Sequence, residues 1–208
     1  MNEPVWSKSG QRAVPEAIMR FLAGQDVELD RELLPFDIRA SRAHARGLAR
    51  IGVLTDEQAA AMCGELDALA DAVDNGEFVL DSRFEDGHSA IEWWLTERLG
   101  ETGKRIHAGR SRNDQVAVAL RLYLKNRLER LCALCADIAD VALARADDAC
   151  EVPMPGHTHL QQAMPSSLGL WWAGHAEAFV DDAELAVVVR DWLDASPLGT
   201  ASGFGVNL

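Results

Sequence analysis

Apolar residues recur along this chain at steps of three and four, the spacing that gathers them on one face of an α-helix. From Asp114 to Cys150 the positions Val116, Leu120, Leu124, Leu128, Leu131, Cys135, Ile138 and Ala142 keep this rhythm with no Gly or Pro between them. The run predicts a helix about 50 Å long at about 1.5 Å per residue. A stripe of that length cannot be buried within a compact domain of 208 residues, so it predicts an elongated bundle shared between subunits. Upstream, Thr55 and Gln58 have the spacing of a capping box, Met62, Leu66, Leu69 and Val73 follow on one face, and Asn75-Gly76 stops the element. A further helix is predicted from about Ser89 to Leu99, ended by Gly100. The stretch from Asp30 to Arg50 is also helical in pattern (Leu33, Leu34, Ile38, Leu48), with Pro35 expected to start or kink it. Pro153, Pro155 and Gly156 break the long helix, and another is predicted from near Pro165 through Trp171, Trp172, Phe179 and Val188 towards Trp192. The predicted class is all-α, with an N-terminal helical domain over 1–112 and the first part of a long-helix bundle over 113–208.

Composition narrows the function. A formal net charge of −13 argues against binding nucleic acid or anionic membrane surfaces. Between Arg98 and Arg130, however, nine Lys or Arg face only Glu101, Asp114 and Glu129, a basic island suited to capturing a small anion. From Arg121 onward its charges read equally well as a solvated helix face. No run of about 18 apolar residues predicts a membrane span, and the start Met1-Asn2-Glu3-Pro4-Val5-Trp6 lacks the pattern of a secretory signal. Cys132 and Cys135 form a CxxC inside a helical run, with no second pair and no nearby ligand histidine. Cys63, Cys132, Cys135 and Cys150 are therefore read as core thiols of a cytoplasmic protein, and no metal is implied. The stretch Asp194–Leu208, rich in Gly, has the character of a connection to something further along, so the sequence reads as cut.

The chemistry is concentrated in His107-Ala108-Gly109-Arg110-Ser111-Arg112-Asn113-Asp114-Gln115, immediately ahead of the long helix. Two guanidinium groups offer planar forks that match carboxylates, and Ser and Asn add neutral hydrogen bonds. A turn placed where a helix begins also gains unpaired N–H groups and the positive end of the helix dipole. Such a turn suits a small polycarboxylate.

This block and Pro155-Gly156-His157-Thr158-His159-Leu160-Gln161 resemble two signature blocks of the argininosuccinate lyase family, in the fumarase/aspartase superfamily. Asp37-Ile38 with Ser41 and Ala43-His44, Glu85-Asp86-Gly87-His88-Ser89, and Ser196-Pro197-Leu198-Gly199 follow the family's order and spacing. The resemblance covers essentially the whole sequence, as about the N-terminal half of a member. It implies an all-α homotetramer with active sites shared between subunits, no cofactor, and reversible cleavage of argininosuccinate to arginine and fumarate. By resemblance His159 is the general acid/base, while Arg110, Ser111, Arg112, Asn113, Thr158 and Gln161 hold substrate, with His88 in support. Ala108 stands where members usually carry Thr, and His157 where they carry Tyr. Asp26 stands where many carry a substrate-contacting Ser, and is expected to meet the guanidinium end instead. The family's Gly-Ser-Ser loop, with the serine that removes the proton, does not occur in these 208 residues, so the isolated chain is expected to be inactive. The alternatives are another superfamily lyase, acting on adenylosuccinate, aspartate or malate, and a truncated, non-catalytic interaction subunit.

Overall fold

The computed structural model describes residues 24–197 together with Ile18, Phe21 and Gly199. The readings placed on Met1–Trp6, and most of those placed on the Gly-rich end, lie outside these residues. The described part contains α1 (Asp26–Arg50), α2 (Asp56–Asp74), α3 (Gly87–Leu99) and the short α4 (Glu101–Lys104). A 3-10 turn (Arg105–His107), the long α5 (Arg112–Asp148), strands β1 (Pro153–Thr158) and β2 (Gln161–Ser167), and α6 (Leu168–Trp192) follow. The predicted all-α class holds. The chain divides into two compact units, one ending at Tyr123 and the other Leu124–Ala195, so that the single helix α5 contributes to both.

In the first unit, α1 to α3 enclose a core of Leu34, Ile38, Leu48, Met62, Leu66, Leu69, Ile91, Leu95 and Ile106. The Thr55 hydroxyl accepts from the Gln58 backbone and the Gln58 side chain accepts from Thr55 N, which completes the predicted capping box of α2. Asp86 caps α3 in the same way with Ser89 as its partner, so α3 begins two residues earlier than the pattern predicted. Pro35 neither starts nor ends α1, which continues through it. Leu34 and Ile38 on either side are both buried, and this packing outweighs the bond lost at Pro35, which lies exposed where the orphaned carbonyl can be hydrated.

In the second unit the buried line of α5 is Cys135, Ala139, Ala142 and Ala146. Ala139 and Ala142 pack with Ala176, Trp172 and Phe179 of α6. The approach is close: a Cβ on Gly169 would lie 2.6 Å from the Ala146 carbonyl oxygen. The larger residues Leu131, Leu134, Ile138 and Val141 remain exposed, as do Leu170, Leu185, Val188 and Trp192 of α6. Cys135 is buried as expected of a core thiol, whereas Cys150 is exposed.

The segment after Pro153 is an antiparallel hairpin rather than a break followed directly by helix. Its register pairs Thr158 with Gln161 and Pro153 with Ser167, with an irregularity between Pro155 and His157. A Cβ on Gly156 would sit 2.7 Å from the Met164 carbonyl oxygen, so the bulge requires glycine. α6 accordingly begins at Leu168, capped by the Ser167 hydroxyl, and not at Pro165.

Candidate active site

The turn before α5 is shaped by Gly109, with φ of +73°, and by Ser111. The Asp114 carboxylate accepts from Ser111 N at 2.8 Å and from Ser111 Oγ at 3.2 Å, while Asp114 N donates back to Ser111 Oγ at 3.4 Å. This reciprocal pair starts the helix and occupies the serine hydroxyl.

Both arginines of the turn already have partners. Arg112 donates to Asp86 Oδ2 at 2.7 Å, with Glu85 Oε2 at 3.8 Å. Arg110 points inward and donates to Ser41 Oγ at 3.1 Å, while its Nε is buried without a partner. Burial lowers the Arg110 pKa, opposed by the charges of Asp37 and Asp114. Asn113 is exposed.

Beneath the turn lies Asp37, only 2% exposed. Its carboxylate accepts from His88 Nδ1 at 2.5 Å, from Gln115 Nε2 at 3.0 and 3.1 Å, and from Ser41 Oγ at 3.5 Å. Burial disfavours the charged form of His88, yet the hydrogen bond and charge of Asp37, with Asp86 and Asp30 adding to them, raise its pKa above the ordinary histidine value. Asp30 accepts from Gly87 N at 2.8 Å; burial raises its pKa, against the lowering effects of that bond and of His88. Asp30, Asp37, His88 and Val116 help to line a cavity of about 20 Å³, room for about one water and far too small for a substrate.

His44 bonds the Ala108 carbonyl through Nε2 at 2.9 Å. Burial, and secondly the neighbouring Arg110 charge, push its pKa down to about 4, so near neutral pH the ring is uncharged and Nε2–H is the donor. His44 thus fastens the back of the turn. Asp26 is the first residue of α1 and exposed, where its charge complements the helix dipole.

Thr158, His159 and Gln161 lie in the second unit, at the tip of the hairpin. The turn consists of His159 and Leu160, with φ of +49° and +62°. Two-residue hairpins favour this left-handed backbone but usually build it from Asn and Gly, because a Cβ makes it costly. Here a histidine and a leucine adopt it, and Leu160 is 97% exposed. Thr158, His159 and Gln161 are exposed as well. Strain of this kind is characteristic of functional positions. The His157 ring lies 3.1 Å from the Pro155 carbonyl.

The structure therefore links His88 and Arg110 through Asp37 and Ser41 in the first unit, where Ser111 bonds Asp114 and Arg112 pairs with Asp86, and puts Thr158, His159 and Gln161 on one turn in the second. Sequence reasoning did not single out Asp37, Gln115 or Asp86 as site residues. A signal for Asp37 was present, since it shares the buried face of α1 with Leu34, Ile38, Ser41, Ala45 and Leu48, where a carboxylate is out of place unless it has partners.

This helical scaffold, with a donor-rich turn opening a very long helix, is the architecture of a fumarase/aspartase-type lyase. A family described as Lyase matches residues 10–208, and the chain belongs to that family. Its sequence is 54% identical to an argininosuccinate lyase of Stenotrophomonas maltophilia (strain R551-3) and 53% identical to one of Xanthomonas oryzae pv. oryzae (strain PXO99A). Each match takes in all 208 residues, and the chain spans about half (48%) of the length of these curated relatives. Among solved structures, the fold is similar to an EDDS lyase in complex with formate (TM-score 0.73, 24% identity, 93% of this chain and 38% of that one). A fumarate lyase:delta crystallin from Brucella melitensis is similar too (TM-score 0.74, 19% identity, 94% of this chain and 50% of that one).

Proposed function

We propose that the protein contributes to cleavage of argininosuccinate into arginine and fumarate, the last step of arginine biosynthesis, with no cofactor. The observation that carries this reading is the match, over the whole chain, to relatives named argininosuccinate lyase, in a sequence that holds both the Ser111-Arg112-Asn113 turn and the His159 hairpin tip. In the reaction a base removes a proton from the succinyl carbon next to a carboxylate, and negative charge builds on that carboxylate. The C–N bond then breaks, leaving fumarate, and the departing guanidino nitrogen takes a proton. Preorganised donors in the turn stabilise the developing charge. Arg110, Ser111, Arg112 and Asn113 belong to that cradle, with His88 in support, and Asn113 is the most exposed of the four. His159 supplies the proton as general acid, with Thr158 and Gln161 fixing the substrate beside it. Asp26 faces the guanidinium end.

The exposed apolar residues of α5 and α6, from Leu131 to Trp192, support assembly into a homotetramer with shared sites, in the cytoplasm. Among the described residues no helix is long and apolar enough to cross a membrane. We also propose the domain division 1–112 and 113–208. Because these 208 residues contain no Gly-Ser-Ser loop to supply the base, they are expected to give no fumarate by themselves.

The test is fumarate release from argininosuccinate by the whole protein as the cell makes it. His159→Gln is expected to lower kcat by about 10²–10⁴-fold. Faster turnover of adenylosuccinate, aspartate or malate than of argininosuccinate would reassign the substrate.

A further inference from the structure

We propose that Asp37 is a positioning residue for the candidate active site: its buried carboxylate on α1 holds the His88 ring through Nδ1 and, by way of Ser41, the Arg110 guanidinium. The inference rests on the functional reading above.

Three separate parts of the chain meet on this one group. His88 comes from α3 and Gln115 from α5, both bonded directly. Arg110 comes from the turn and is reached through Ser41, one helical turn along from Asp37 and 0% exposed. A carboxylate this deeply buried is costly unless donors surround it, and well-packed apolar residues often stabilise a core as well or better. Stability alone is therefore a poor reason for Asp37 to be here.

The network also leaves two polar atoms unanswered. Gln115 must turn its amide nitrogen to the carboxylate, which leaves Oε1 buried with no donor. Arg110 spends an NH2 group on Ser41 while its Nε finds no acceptor. A purely structural cluster would be expected to satisfy such atoms. What the arrangement does achieve is orientation. With Nδ1 committed to Asp37, the His88 ring cannot turn over, and Nε2 has no protein partner among the described residues. With NH2 tied to Ser41, Arg110 cannot swing out into solvent. Asp37 thus sets, from beneath, the direction of the His88 ring and of the Arg110 guanidinium that back the candidate carboxylate cradle.

The experiment follows the side-chain ¹⁵N resonances of histidine and arginine in purified wild-type protein, Asp37→Asn and Ser41→Ala, with fumarate titrated into each. In Asp37→Asn, which preserves shape, the His88 Nδ1 signal is expected to shift as its acceptor is lost, and the Arg110 Nε–H signal to shift with it. The fumarate dissociation constant should rise at least tenfold. Ser41→Ala should move Arg110 and leave His88 where it was, and it carries the test if Asp37→Asn does not fold. Unchanged His88 and Arg110 signals in Asp37→Asn, or an unmoved Arg110 signal in Ser41→Ala, overturn the proposal and leave Asp37 a packing residue. If wild-type protein does not bind fumarate at all, the lyase reading fails instead, while the two sets of resonances still decide the role of Asp37.

Discussion

Arg112 and Asp86 form an ion pair at 2.7 Å in which the acidic partner has a second duty, because Asp86 also accepts from the Ser89 backbone at the start of α3. The turn and the helix that carries His88 are thereby fastened together. Asp86→Ala removes both a helix cap and the pair and is expected to cost about 1–2 kcal/mol. Arg112→Ala removes only a half-exposed pair and should cost less than about 1 kcal/mol. Urea unfolding of the two variants checks the order, and a larger loss for Arg112→Ala would contradict it.

His44 and His88 respond to pH in opposite directions. The folded-state pKa of His44 lies near 4, below the unfolded value, so its contribution is complete above about 6.5 and is lost as pH falls towards 4. That of His88 is raised, so its contribution is complete below about 6.5 and is lost as pH rises through the folded-state value. His44→Gln should flatten the acid limb of a plot of stability against pH, and His88→Gln the limb above about 6.5. Denaturation midpoints measured from pH 4 to 9 distinguish them.

Gly103 and Gly156 occupy positions where a methyl group meets backbone. A Cβ on Gly103 would lie 2.3 Å from the Leu95 carbonyl oxygen, and one on Gly156 2.7 Å from that of Met164. Gly103→Ala must push α4 off α3, at an expected cost of about 1–3 kcal/mol, seen as a lowered Tm. Gly156→Ala strains only the hairpin, so its effect should appear as faster amide exchange in β1 and β2 with the helical melt unchanged.

Leu160→Gly relieves one of the two left-handed residues of the hairpin turn and should stabilise it by up to about 1 kcal/mol. Amide exchange at Gln161 and Thr158 reports that gain. The whole protein carrying the change should keep its activity if His159 alone performs the proton transfer. A loss comparable with that of His159→Gln would assign Leu160 a share in substrate contact.

The helices were legible wherever local pattern and burial coincide. Thr55-x-x-Gln58 announced α2, and the absence of Gly and Pro announced α5. The buried line of α5 was not legible, because the eye follows large apolar side chains. The close approach of α6 at Gly169 selects Cys135 and the alanines for the inside, leaving Leu131 and Ile138 exposed. The hairpin was missed for a related reason. Its strands are almost entirely exposed, so they carry no alternation of apolar and polar residues, and its turn uses His-Leu where Asn-Gly would have signalled it. At the site, residue types pointed to candidate side chains but not to what they bond. The pairing of Arg112 with Asp86 spans 26 residues, and that of Gln115 with Asp37 spans 78, separations that no local pattern encodes.

The hairpin has a consequence for how proton transfer and folding are divided along the chain. Its ladder is held almost wholly by backbone bonds open to water, so it opens in local fluctuations that leave the helices intact. His88, by contrast, is fixed by a core that opens only when the first unit unfolds. A mild denaturant or a modest rise in temperature should therefore release His159 first, removing the proposed proton donor while the proposed carboxylate cradle stays folded.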